Sequence, residues 1–130
     1  MNSRVSIEQL ELHCDARGLV LEPLGPEALP AQRNVHLVLT EPGCIRGNHF
    51  HPRGTEVAVV LGPALVRLRE EGEVRDIHIA EGQAYRLTIP PGVAHAFQNT
   101  GTRPTVLVAF NTVALDRSNP DVVRDVLIPG

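Results

Sequence analysis

The sequence predicts an all-β domain of the sandwich or barrel type. Eleven glycines and eleven prolines cut the 130 residues into short segments. Several of those segments alternate apolar with polar residues at the two-residue period of a strand, and none is long and unbroken enough for a long helix. Hydrophobic residues make up 42% of the chain, but aromatics only 3%, with no tryptophan. The core must therefore be aliphatic, and its β-branched share favours strands. A chain of this size builds one core, so residues 1–130 are read as a single domain.

Taken in order, residues 5–12 hold a short strand or turn, Asp15-Ala16-Arg17-Gly18 is a turn, and Leu19 to Leu21 is a brief apolar run. The three prolines between Glu22 and Pro30 make that stretch a loop. The first regular strand runs from Val35 to Thr40 and stops at Glu41-Pro42-Gly43. Further strands are expected over 55–61, 64–69, 74–79, 85–89, 95–99 and 105–113. Val66 and Leu68 alternate with Arg67 and Arg69, and Tyr85, Leu87 and Ile89 alternate with Arg86 and Thr88, so both segments have an inside and an outside. Glu70-Glu71-Gly72-Glu73 is a solvated hairpin tip. The tail, Val122 to Ile128, packs as a short helical turn or an edge strand.

Charge excludes some functions. The net charge is −3, and the twelve cations, all arginine, are spread along the chain, which argues against nucleic-acid binding. The longest uncharged apolar stretch, Val57 to Val66, is interrupted by Gly62-Pro63 and is too short to span a bilayer as a helix. No basic region followed by an apolar run opens the chain, so a cytoplasmic protein is expected. Cys14 and Cys44 stand apart, without a CxxC pair, and are read as small buried hydrophobes.

The chemistry concentrates in two segments. His49 and His51 are two residues apart and share one face of a strand. Glu56 lies an odd number of positions beyond them and reaches the same face only if Pro52-Arg53-Gly54 bends the chain. Pro90-Pro91-Gly92 makes the second turn and aims His95 inward. Three imidazoles and a carboxylate on one point suit a divalent ion such as Zn, Ni, Mn or Fe, without selecting among them.

These segments resemble the two motifs of the cupin family. Gly43, His49, His51, Glu56 and Gly62 (residues 43–62) meet the first, and Pro90, Gly92, His95 and Asn99 meet the second. The second motif opens at Gly82 (residues 82–99), with seven residues between Gly82 and Pro90 where the family pattern has five. The resemblance implies a double-stranded β-helix, or jelly-roll, barrel in which His49, His51, Glu56 and His95 hold one metal ion. A narrower likeness rests on Arg46-Gly47-Asn48-His49-Phe50-His51, Ile89-Pro90-Pro91-Gly92-Val93-Ala94-His95, Asp15-Ala16-Arg17-Gly18 and Asn119-Pro120-Asp121. These phrases resemble cupins of bacterial polysaccharide biosynthesis that act on nucleotide-linked 4-keto-6-deoxy sugars. They include the C-terminal epimerase domain of capsular polysaccharide reductases and the dTDP-4-dehydrorhamnose 3,5-epimerases. The rhamnose epimerases use a histidine base and a tyrosine acid without a metal, whereas His51 and Glu56 complete a metal set here.

The resemblance implies a sugar-nucleotide epimerase or isomerase working as a homodimer. Tyr85, the only tyrosine, is then the candidate acid, Arg46 and Arg17 are candidates for the diphosphate, and His49 is the candidate base if the working enzyme lacks the ion. His36 and His78 alternate with aliphatics and are read as polar-face or hydrogen-bonded core residues rather than ligands. Two other activities fit the same residues: a metal-dependent dioxygenase, and a cupin that binds a sugar or metabolite without turnover.

Overall fold

The structure is a computed structural model and describes residues 4–130. Twelve strands form: β1 (Ser6–Gln9), β2 (His13–Asp15), β3 (Gly18–Val20), β4 (Asn34–Thr40), β5 (Ile45–Phe50), β6 (Glu56–Leu61), β7 (Ala64–Glu70), β8 (Glu73–Ile79), β9 (Ala84–Ile89), β10 (Ala94–Asn99), β11 (Thr105–Asn111) and β12 (Val123–Arg124). Two five-stranded antiparallel sheets, ordered β1-β9-β6-β11-β4 and β12-β5-β10-β7-β8, make the jelly roll, and β2 and β3 form a separate hairpin. That hairpin turns at Ala16 and Arg17, where the Asp15 carboxylate accepts the Arg17 backbone N–H.

The core lies between the inner faces of the two sheets. Ala58, Val60, Leu87, Ile89 and Leu107 come from the first sheet and Val66, Leu68 and Phe97 from the second, all buried. This aliphatic packing follows from the alternation along β6, β7 and β9, whose inward residues are small or branched. A second, smaller cluster covers the outer face of the other sheet, where Leu127 and Ile128 pack over Ala94 and Ala96. The tail thus reaches its place by an edge strand, β12 on β5, and not by a helical turn.

Strand β5 carries an irregularity that positions the site. His95 pairs with His49, but its neighbour Ala96 pairs with Gly47, which leaves Asn48 as an extra residue in the ladder. Gly47 and Asn48 both take positive φ, 85° and 58°. Asn tolerates this region better than most side chains. Its amide then clamps the tail, accepting from the N–H groups of Leu127 and Ile128 at 2.9 and 3.0 Å and donating to the Ile128 carbonyl at 3.0 Å. Asn48→Ala leaves two tail N–H groups without their acceptor and is expected to cost about 1–3 kcal/mol in urea denaturation. A cost below about 0.5 kcal/mol would show that the clamp does not hold the tail.

One expectation is corrected here. Cys14 and Cys44 are exposed, free thiols, because one lies in the outlying hairpin and the other in the turn before β5. On β4 the aliphatics Val35, Leu37 and Leu39 point outward, 60%, 75% and 55% exposed, while Val38 packs on the core. Among the described residues no helix is long and apolar enough to cross a membrane.

Candidate metal centre

His49 leaves the inner face of β5 immediately after the bulge, opposite His95 on β10. His51 stands one residue past the end of β5, and Glu56 opens β6. The chain between them turns through Pro52-Arg53-Gly54, and Asp121 fixes that bend. Its carboxylate accepts the Arg53 and Gly54 backbone N–H groups at 3.0 and 2.8 Å and pairs with the Arg53 guanidinium at 3.2 Å. The bend restores the face that the odd spacing of Glu56 would otherwise lose. One potential ligand atom from each of His49, His51, Glu56 and His95 lies within 4.8 Å of the others.

Hydrogen bonds at the back of the rings set which nitrogen faces the centre. His95 Nδ1 donates to the Val93 carbonyl at 3.1 Å, which leaves Nε2 buried, aimed at the cluster and without a hydrogen bond among the described residues. His51 Nδ1 donates to the Asp121 carbonyl at 2.7 Å, and its Nε2 lies 3.0 Å from Glu56 Oε1. Carbonyl and carboxylate both accept, so in this arrangement the His51 ring carries two protons and the Nε2 proton occupies the place of a metal. Such anchored rings are the usual outer support of metal-bound histidines. The donor set, the orphaned nitrogen and the anchored tautomers fit a divalent ion held by these four residues.

The electrostatics agree. Burial pushes His49 down from 6.5 to about 4, with the neighbouring imidazoles adding to the effect. Burial likewise lowers His95. For His51 burial opposes the charge, but the bonds to Glu56 and to the Asp121 carbonyl outweigh it and raise the value. Glu56 meets the same opposition from burial, yet the His51 bond and the facing imidazoles hold it below the usual carboxylate range. Since His49 takes its proton less readily when folded, the unfolded chain binds more protons between pH 6.5 and about 4. Stability of chelator-treated protein is therefore expected to fall as pH falls through that window. His95 acts in the same direction, whereas His51, being raised, contributes stability that is complete below 6.5 and is lost only as pH rises through its folded value. Melting temperatures across this range should decline less steeply in His49→Gln; an unchanged slope would exclude His49 as the titrating group.

Two cavities, of about 250 and 340 Å³, meet at the cluster, and both are lined by His36, His49, His51, Glu56 and Ala109. Arg46 lines the larger one, and one guanidinium nitrogen donates to the Leu39 carbonyl at 3.2 Å. The structure does not bring the other two named residues there. Tyr85 pairs with Val60, four residues along β6 from Glu56, or roughly 13 Å at strand rise; its hydroxyl lies 3.5 Å from Gln9 Oε1. Arg17 sits in the exposed β2–β3 hairpin with its guanidinium on Asp15 at 2.6 Å. The sequence does not show that Asp121 anchors the site, nor that His36, read there as a polar-face or hydrogen-bonded core residue, lines both cavities. The Asn119-Pro120-Asp121 phrase was legible, but its reach to His51 spans seventy residues. His36 was hidden by an alternation in which both faces of β4 carry aliphatics.

The sequence matches the family described as Polysaccharide biosynthesis C-terminal domain over residues 13–123. The chain belongs to this family. Among curated relatives, the spore coat polysaccharide biosynthesis protein SpsL of Bacillus subtilis is 25% identical, covering 92% of this chain and 86% of its own length. The UDP-2-acetamido-2,6-beta-L-arabino-hexul-4-ose reductase of Pseudomonas aeruginosa is 29% identical over 85% of this chain, which spans only 30% of that protein. Among solved structures, the sugar 3,4-ketoisomerase QdtA of Thermoanaerobacterium thermosaccharolyticum in complex with TDP superposes with a TM-score of 0.72 at 21% identity, over 96% of this chain and 90% of its own. At that identity the likeness establishes the jelly roll that this family member shares with it.

Proposed function

We propose that this protein is a metal-binding cupin that epimerises or isomerises a nucleotide-linked 4-keto-6-deoxy sugar in polysaccharide biosynthesis. The observation that carries the reading is the convergence of His49, His51, Glu56 and His95 where two cavities meet. The cavity sizes suit a sugar. Family membership, together with the sugar-nucleotide reductase and sugar ketoisomerase among its relatives, supports the same substrate class.

In a 4-keto sugar the carbonyl acidifies the hydrogen on the neighbouring carbon, so the reaction needs a proton acceptor and a stabiliser for the enolate oxygen. A divalent ion held by the four ligands would supply Lewis-acid polarisation of that carbonyl. Arg46, with only one of its donors occupied by Leu39, is placed to fork hydrogen bonds to a diphosphate at the wall of the larger cavity. A homodimer fits the exposed Val35, Leu37 and Leu39 on edge strand β4, since a second copy would cover both the stripe and the edge.

The test is incubation of metal-replete protein with TDP-4-keto-6-deoxyglucose in D₂O, followed by NMR. Deuterium entering beside the carbonyl is the expected result. Binding without exchange would replace the enzyme reading with a sugar-binding one, and neither binding nor exchange would overturn the substrate class.

A further inference from the structure

The reading above leaves the proton acceptor unassigned once the cluster holds an ion, because a ring nitrogen that donates its lone pair to a metal cannot also take a proton. The geometry points to His36, and not to a cluster histidine, as the side chain that removes the substrate proton; this assignment rests on the proposed sugar-nucleotide reaction.

The argument is one of elimination and placement. His36 lies on the inward face of β4 and lines both cavities that reach the cluster. Across the sheet its neighbours are Ala109 on β11 and then Ala58 on β6, two residues along from Glu56. Those methyl side chains are too small to fill the space between the imidazole and the cluster, so a sugar bound there has His36 on one wall and the four ligands on another. The remaining ionisable groups on the cavity walls are engaged. The Asp121 carboxylate accepts from Arg53 and Gly54, Asp116 accepts from the Ser118 N–H and hydroxyl, and Arg46 has no acceptor site. His36 has no hydrogen-bond or ion-pair partner among the described residues, and it is solvent-exposed. Imidazole is the side chain suited to proton transfer near neutral pH.

In the step, an imidazole nitrogen takes the hydrogen of the carbon beside the C4 carbonyl as a proton. The C–H electron pair becomes the C=C bond, and the carbonyl π pair moves onto oxygen. For epimerisation the new proton must reach the opposite face of the same carbon, so there His36 only removes the proton; a solvent water in the cavity supplies the returning one, and the imidazolium gives its own proton up to the hydroxide so formed. For ketoisomerisation the hydroxyl proton on C3 passes to the C4 oxygen and the imidazolium protonates C4, leaving the carbonyl at C3. No oxidant or reductant is consumed. Because His36 is open to solvent, its acquired proton exchanges with D₂O before it reaches C4.

The experiment compares wild type, His36→Gln and His36→Ala for deuterium exchange into TDP-4-keto-6-deoxyglucose, with metal content and TDP affinity measured on each. Both variants are expected to keep metal and TDP binding and to lose exchange by roughly a hundredfold or more, and added imidazole is expected to restore part of it in His36→Ala only. Exchange within about threefold of wild type in both variants, or a loss that tracks loss of metal, would overturn the assignment to His36 while leaving the sugar reaction standing. No exchange by wild type would overturn the reaction itself, and this assignment with it.

Discussion

Replacing His95 with Ala is expected to strip the metal from the protein. Mass spectrometry of wild type purified without chelator should find about one divalent ion per chain, as a single site of this donor type holds, and His95→Ala should fall to background. His95 is fully buried, its Nδ1 is tied to Val93, and its Nε2 has no hydrogen-bond partner among the described residues. A buried lone pair left in that state costs free energy unless a ligand engages it. Removing it also deprives the buried Glu56 carboxylate of an imidazole 3.4 Å away, so affinity should drop by roughly a hundredfold or more. His51→Ala provides an independent variant on a different segment and should behave alike, since it removes both the ligand and its anchor on Asp121. Full metal retention in both variants, or no metal in wild type, would rule out this centre. Circular dichroism on each variant separates ligand loss from unfolding.

Gly47→Ala is expected to be the most damaging single-methyl change near the site. Gly47 takes φ 85°, where a side chain is strained, and an added Cβ would lie 2.7 Å from the His95 carbonyl oxygen and 3.3 Å from the Ala96 Cα. Both contacts are backbone atoms of the paired strand, which cannot rotate away as a side chain would. Relief requires β5 and β10 to separate at the rung that sets His49 against His95. The expected cost is roughly 2–4 kcal/mol in chemical denaturation, together with weakened metal binding from misplaced imidazoles. Gly72→Ala serves as a control for φ alone, since Gly72 takes φ 80° at the β7–β8 tip, where nothing stands within 4 Å of an added Cβ. Equal costs at the two positions would show that strand separation contributes nothing at Gly47.

Much of the site was legible because it depends on local chain geometry. The two-residue spacing of His49 and His51, the Pro-Gly content before Glu56 and the Pro-Pro-Gly turn before His95 each fix a direction within a few residues, and those four side chains do meet. Tyr85 stands out in the sequence as the only tyrosine and by its position before the His95 turn. Position along a strand was the missing quantity, and it sets Tyr85 four rungs from Glu56. Arg17 belonged to a turn that the sequence located correctly, but the turn lies in a hairpin outside both main sheets.

The sequence by itself determined the all-β class, the breakpoints between most strands, the aliphatic core and the four residues that converge, because apolar alternation and Gly-Pro turn chemistry act over short distances. The tertiary structure alone decided which face of β4 is inward. With Val35, Leu37 and Leu39 on one side and His36 and Val38 on the other, local pattern favours burying the three aliphatics. The pairing of β4 with β11 instead puts His36 beside Ala109, over the cavity. It also decided that Asp121 anchors His51 and that Asn48 holds the tail, contacts that span seventy and eighty residues. Their reason is the same in each case: a two-residue period fixes that two faces differ, while only the partner strand, brought from far along the chain, fixes which of them is inside.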